Sequence, residues 1–258
     1  MTRFFLLVFC VLSMAAVCCQ AGWELYPSEF TLRGKREALQ LIATWRDGDR
    51  VADHTRGAEY VVADPAVLSV SRDGMVRPRS NGVTTIRLGE STVKVRVSGI
   101  QSPAPVSFRH ETLPVLSRLG CSAGSCHGSP HGTGSFRLSL RAFDPALDGL
   151  TLVSEELGRR TNPIEPDKSL LLLKPTTAVS HEGGKKLDKE SEEYALLRSW
   201  IAEGAALRKG EESTCTGIEI YPSESRVLHF PDANQQFSVQ AKFSDGTRRD
   251  VTHLAVFE

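Results

Sequence analysis

A short segment near the N-terminus recurs near the C-terminus, and this duplication constrains the fold more than any other feature. Glu24, Tyr26, Pro27, Ser28 and Glu29 match Glu219, Tyr221, Pro222, Ser223 and Glu224. Both copies continue in step. Residues 39–45 lead into Asp47 and Gly48 and then Asp53-His54-Thr55, while residues 237–243 lead into Asp245 and Gly246 and then Asp250-Val251-Thr252. Self-similarity at a spacing of about 195 residues marks a module used twice, with an insert of about 100 residues between the copies, a usual domain size.

The module reads as β. Leu39, Leu41, Ala43 and Trp45 alternate with side chains suited to water, as do Phe237, Val239, Ala241 and Phe243. Asp-Gly pairs follow where a hairpin must turn. Further strands are expected at 67–70, 84–88 and 93–97, punctuated by Asp73-Gly74 and Asn81-Gly82, which suggests a β-sandwich. The Tyr-Pro opening, the strand before Asp-Gly, the Asp-x-Thr and the late Gly74 and Gly82 resemble the bacterial immunoglobulin-like domain of group 2. The resemblance covers about 75 residues in the first copy, a small domain's worth. It implies an all-β sandwich over residues 22–100 and a partial second sandwich over 216–258, acting as spacer or adhesive modules in contact with a surface or polysaccharide. The second copy stops with about half its strands still to come. Residues 216–258 are therefore expected either to belong to a longer protein or to be poorly ordered.

At the N-terminus, Arg3 precedes an apolar run from Phe4 to Val17, and small residues follow up to Gly22. This is the pattern of a secretory signal over residues 1–21. It is short for a membrane span, so no transmembrane segment is expected after cleavage near Ala21, and Cys18 or Cys19 offers an alternative lipid attachment point. Periplasmic or other extracytoplasmic residence follows. Cys121, Cys126 and Cys215 remain, too few for a disulfide scaffold. The 31 basic and 31 acidic residues cancel, which argues against nucleic acid as a partner.

In the insert, residues 106–208, the periodicity becomes helical. Ser191 caps a helix whose Tyr194, Leu197 and Ile201 share a face beside Trp200, and Gly204 ends it. A second helix is expected from about Thr112 to Cys121, with Pro114 in its first turn. A third, capped by Asp167, is expected to run through Leu173 and stop at Pro175. The chemical motif is Cys121, Cys126 and His127, with Ser122, Ala123, Gly124 and Ser125 between the cysteines. Two thiols followed by a histidine are the arrangement that attaches haem c through two thioethers, with the imidazole on the iron. The usual spacer is two residues, and this one is four. A local disulfide or a zinc site are the alternatives. Gly128 is expected to leave room for the porphyrin edge.

Residues 113–128, together with Phe136 to Leu140, Phe143-Asp144-Pro145, 169–175, His181 to Gly184 and 196–205, resemble the planctomycete-type cytochrome c domain with a widened haem motif. The resemblance implies one covalently attached haem c. The expected fold class is multidomain: an all-β immunoglobulin-like sandwich, a mainly α-helical cytochrome c domain and a truncated second immunoglobulin-like β-domain. The insert has no methionine, so the second iron ligand is another histidine or the position is open. His181, in a loop with Gly183 and Gly184 that suits close approach to a flat ring, corresponds to the ligand loop of related cytochromes. His110 is an alternative, while His54, His131, His229 and His253 are expected to be solvated. Lys185 and Lys186 suit either a haem carboxylate or a solvated loop. The site set is therefore Cys121, Cys126, His127 and His181, with the two histidines on the metal and no catalytic residue. The expected function is electron transfer with a redox partner protein or domain. The alternatives are a haem-bearing module of a larger extracytoplasmic enzyme, or a haem sensor or adhesive surface protein.

Overall fold

The computed structural model describes residues 21–207, 212–228 and 234–257. All of the expected secretory signal over residues 1–21 except Ala21 lies outside the described residues, as does His229.

The first module holds ten short strands: β1 Gly22–Tyr26, β2 Glu29–Arg33, β3 Leu39–Gln40, β4 Ile42–Asp47, β5 Arg50–Asp53, β6 Val61–Val62, β7 Leu68–Val70, β8 Met75–Pro78, β9 Gly82–Leu88 and β10 Ser91–Ser98. They form three small sheets, ordered β1-β4-β5, β2-β10-β9-β6 and β3-β8-β7, rather than the two facing sheets expected of a sandwich. The division arises at Leu41, whose N–H donates to the Gly74 carbonyl at 2.9 Å and so passes the chain from one sheet to the next. The hairpin β9–β10 keeps strict alternation. Thr84, Ile86 and Leu88 and then Val93, Val95 and Val97 are buried, with more exposed side chains between them.

The insert departs furthest from expectation. Its α-helices are α1 Leu113–Arg118, α2 Pro145–Val153, α3 Leu170–Leu173 and α4 Glu192–Ala202. The longest has 11 residues, and turns connect them, so the described residues are mostly β with four short α-helices and hold no mainly helical cytochrome domain. The physical reason is local. Gly120, Gly124, Gly128, Pro130, Gly132 and Gly134 interrupt any helix between α1 and α2. Helices shorter than about 12 residues are marginal alone and persist only by packing. They pack on a separate core in which Leu116, Leu172, Leu197, Trp200 and Ile201 are buried, and Phe108 stacks on Trp200 at 5.3 Å. Ser191 caps α4 through Tyr194 N–H, and Gly204 follows it with φ +93°, as the sequence suggests. Asp167 does not cap α3. Its carboxylate accepts from Arg198 Nε at 2.9 Å and from the Tyr194 hydroxyl at 2.7 Å, which hold it well below the usual carboxylate range.

The second module supplies β11 Cys215–Tyr221, β12 Ser238–Phe243 and β13 Arg248–Asp250 as one antiparallel sheet. Its hydrogen bonds repeat those of the first module. Thr55 Oγ1 accepts from Ala43 N–H at 2.9 Å, and Thr252 Oγ1 accepts from Val239 N–H at 2.8 Å. Each threonine N–H donates in turn to the aspartate two residues earlier, at 2.8 Å and 2.9 Å. Ala43 therefore corresponds to Val239, two positions from the register implied by aligning the Asp-Gly pairs. Gly48 and Asp49 alone turn the first hairpin, since Asp47 pairs with Arg50. The second turns over Ser244, Asp245 and Gly246, closed by Phe243 N–H on the Thr247 carbonyl.

The two modules meet directly. Tyr26 and Tyr221 stack at 3.6 Å with an interplanar angle of 10°, and Gln40 N–H donates to Asp250 Oδ2 at 3.2 Å. The face of residues 40–44 expected in water is thus covered, and Gln40, Ile42 and Thr44 are as buried as Leu41 and Ala43. The insert docks on both modules, through Arg36–Glu111 at 2.7 Å, Arg77–Glu192 and His110 edge-on to Phe243 at 5.2 Å.

Candidate cofactor site

After α1 the chain turns tightly back on itself. Cys121 N–H donates to Leu116 O at 2.9 Å, Cys126 N–H to Ala123 O at 2.9 Å and His127 N–H to Cys121 O at 3.0 Å. The four spacer residues thereby close a compact loop that sets Cys121, Cys126 and His127 on one wall of a cavity of about 550 Å³. Gly128 serves this loop. A Cβ there would lie 2.0 Å from the Ser122 carbonyl oxygen, so the side chain is missing because backbone meets backbone.

His127 is held from behind. Its Nδ1 lies 2.9 Å from Phe136 O and 3.1 Å from Thr133 O. Carbonyl oxygens only accept, so Nδ1 carries the proton and Nε2 keeps a free lone pair. Burial holds this imidazole below the usual histidine range, against the pull of those two carbonyls. The wall is braced further by Thr133 Oγ1, which donates to Cys126 O at 2.7 Å, and by Leu138 N–H, which donates to His127 O at 2.7 Å. The next residue, Ser139, donates from its hydroxyl to buried Asp148 on α2 at 2.7 Å.

His181 reaches the same cavity from the loop after α3. Its Nδ1 bonds Gly184 O at 2.8 Å, which again leaves Nε2 free. The His127 and His181 ring centres are 6.5 Å apart, and their planes differ by 21°. A Cβ on Gly183 would lie 3.0 Å from the His181 ring. Of the sequence-derived residues, the structure brings Cys121, Cys126, His127 and His181 together. His110 is packed against Phe243 instead, and His131 is not among the cavity-lining residues. Cys215 sits exposed on β11. His253, expected in water, is half-buried, and its pKa is pushed down to about 4.

The two motif thiols are free rather than joined as a disulfide. Burial, with Cys126 close by, pushes the Cys121 thiol up to about 11 against the opposing effect of Lys186, so it is protonated at neutral pH. Among the described residues no group of three or more His, Cys, Asp or Glu side chains is arranged to hold a metal ion. Leu116, Leu138, Leu171 and Leu197 are the apolar lining, and Arg159, Arg160, Lys174, Lys186 and Glu182 are the charged lining. Lys185, by contrast, pairs with Asp188 at 2.8 Å. Of these cations the sequence reading singled out Lys186, together with Lys185, and missed Arg159, Arg160 and Lys174, which lie on other segments of the chain. The local sign of the missed cations is the pair Arg159-Arg160.

No protein-family model matches the chain, and no curated protein matches it.

Proposed function

We propose that the chain is an extracytoplasmic electron-transfer module carrying one haem c, bound through thioethers to Cys121 and Cys126 and ligated by His127 and His181. The observation that carries this reading is the pair of parallel imidazoles across one cavity, each with Nδ1 tied to a carbonyl. A carbonyl-anchored ring is the usual state of a metal-binding histidine. Metal–nitrogen bonds of about 2 Å would bring the centres of two imidazoles that hold one metal to about 6 Å, close to the observed 6.5 Å. Porphyrin supplies four nitrogens of its own, so two protein ligands suffice. The cavity volume lies within the usual range of about 300–1,000 Å³ for cofactor sites, and its cationic lining suits a ligand with two carboxylates.

When bound, the haem iron supplies reversible one-electron chemistry. The chain's own residues do the rest. Cys121 and Cys126 fix the ring to the loop, Phe136 and Thr133 orient His127, Gly184 orients His181, and the leucine lining excludes water. Two protein ligands leave no open position for a substrate, which favours a carrier over a sensor or a catalyst.

Peptide mass and visible spectroscopy test this. The Cys121–Cys126 peptide should gain the mass of one haem, and the reduced bands should not shift with carbon monoxide. His181→Ala should open the sixth position and make the spectrum sensitive to carbon monoxide. A peptide of unmodified mass refutes haem attachment, and a native protein that binds carbon monoxide refutes the second ligand. Among the described residues no helix is long and apolar enough to cross a membrane.

A further inference from the structure

Among the described residues, Arg160 is the one buried cation that lines the cavity, at 7% exposure. Its guanidinium carbon sits 4.7 Å above the centre of the Phe136 ring. The same ring lies 4.4 Å from the His127 ring, and its main-chain oxygen accepts from His127 Nδ1. These two separations place the guanidinium within about 9 Å of the imidazole centre. Its Nη1 donates to Thr151 O at 2.7 Å, which fixes the head group without neutralising it. The same Nη1 also pairs with Glu155 Oε2 at 3.5 Å, a carboxylate that is 42% exposed. Water and salt screen the exposed carboxylate more than the buried guanidinium, so the pair leaves a net positive field behind this histidine.

We propose that Arg160 is a positioning residue that raises the reduction potential of the metal held by His127, acting through the Phe136 ring. The inference rests on the haem reading above. Two imidazole ligands and carbonyl-anchored rings stabilise the oxidised, more positive state. A fixed positive charge nearby disfavours that state and offsets them. Arg159, Lys174 and Lys186 carry the same sign but are less buried, so water and salt screen them more.

The test is a potentiometric titration of the haem-loaded full chain, followed in its visible bands. With the guanidinium within about 9 Å of the His127 ring and an effective dielectric constant of about 20, removing one charge would change the oxidised-to-reduced ratio on the order of tenfold at fixed poise. That is 59 mV for a one-electron couple. Arg160→Gln should therefore lower the potential by about this amount. Arg160→Lys, which keeps the charge but loses the planar fork, should stay within about twofold of the native ratio. Glu155→Gln, at a half-exposed position, should shift the ratio about twofold in the opposite direction. Equal potentials for native protein and Arg160→Gln overturn the inference, as does an equal fall in the Gln and Lys variants. If Arg160→Gln does not fold, Glu155→Gln decides, and an unchanged potential there overturns it. Peptide mass, read first, separates this failure from that of the underlying reading: without haem on the Cys121–Cys126 peptide, both fall.

Discussion

Acid should loosen this protein through one side chain, His253. The imidazole is half-buried where the second module meets the insert, its buried Nδ1 has no hydrogen-bond partner, and its main-chain oxygen accepts from Arg118. Its pKa falls from 6.5 to about 4, through burial first and then through Arg77 and Arg118, with Glu193 and Glu111 pulling the other way. A depressed folded-state pKa means that the unfolded chain takes up the proton first as pH falls. The stability contribution is therefore complete above pH about 6.5 and is lost progressively down to about 4. At about 1.4 kcal/mol per pH unit across that window, the loss is about 3 kcal/mol. Urea unfolding at pH about 7 and about 4 measures it, using native protein and His253→Gln, which cannot titrate. The native chain should lose about 3 kcal/mol more than the variant over that interval. Equal losses in the two proteins refute the reasoning, because they place the acid response elsewhere.

Three further substitutions probe the insert. Gly128→Ala puts a methyl group 2.0 Å from a backbone oxygen and should abolish most haem attachment, whereas Gly124→Ala meets only the Leu140 side chain, at 3.9 Å, and should retain it. The ratio of haem-bearing to bare Cys121–Cys126 peptide reads both. Trp200→Ala removes a fully buried ring stacked on Phe108 and should cost about 3–5 kcal/mol in denaturant unfolding. A loss below about 1 kcal/mol would mean that this cluster is not the insert's core.

What could be read along the chain is what neighbouring residues decide among themselves. Ser191 and Gly204 bound α4 because a cap is a bond to an N–H three residues away and a stop is one residue's φ. The repeated Asp-x-Thr folds the same way in both modules because aspartate and threonine bond each other's backbone at a separation of two. The spacing Cys121, Cys126 and His127 places those three groups on one loop by covalent connection alone. The hairpin register was misread for an equally local reason. The two Asp-Gly turns differ in length by one residue, which a comparison of letters does not register.

Tertiary contact decided the rest. The pattern of residues 39–45 could not show that a second module would cover the outer face of β4, because alternation reports one buried face only when the other meets water. Gly128 looked like space for a ligand, but the close approach of the Ser122 carbonyl explains it. His253 looked like a loop histidine, and only the docking of the second module on α1 buries it. Arg160 lies more than thirty residues beyond His127, and no periodicity connects it to Phe136. The sequence by itself determined the repeated β-module and the thiol–thiol–imidazole loop, because short-range bonds and covalent spacing suffice for both. The structure decided that the insert is turn-rich rather than helical, that His181 faces His127, and that a buried cation lies behind His127. Each of these depends on which distant surfaces exclude water together, and that is a property of the whole packed chain.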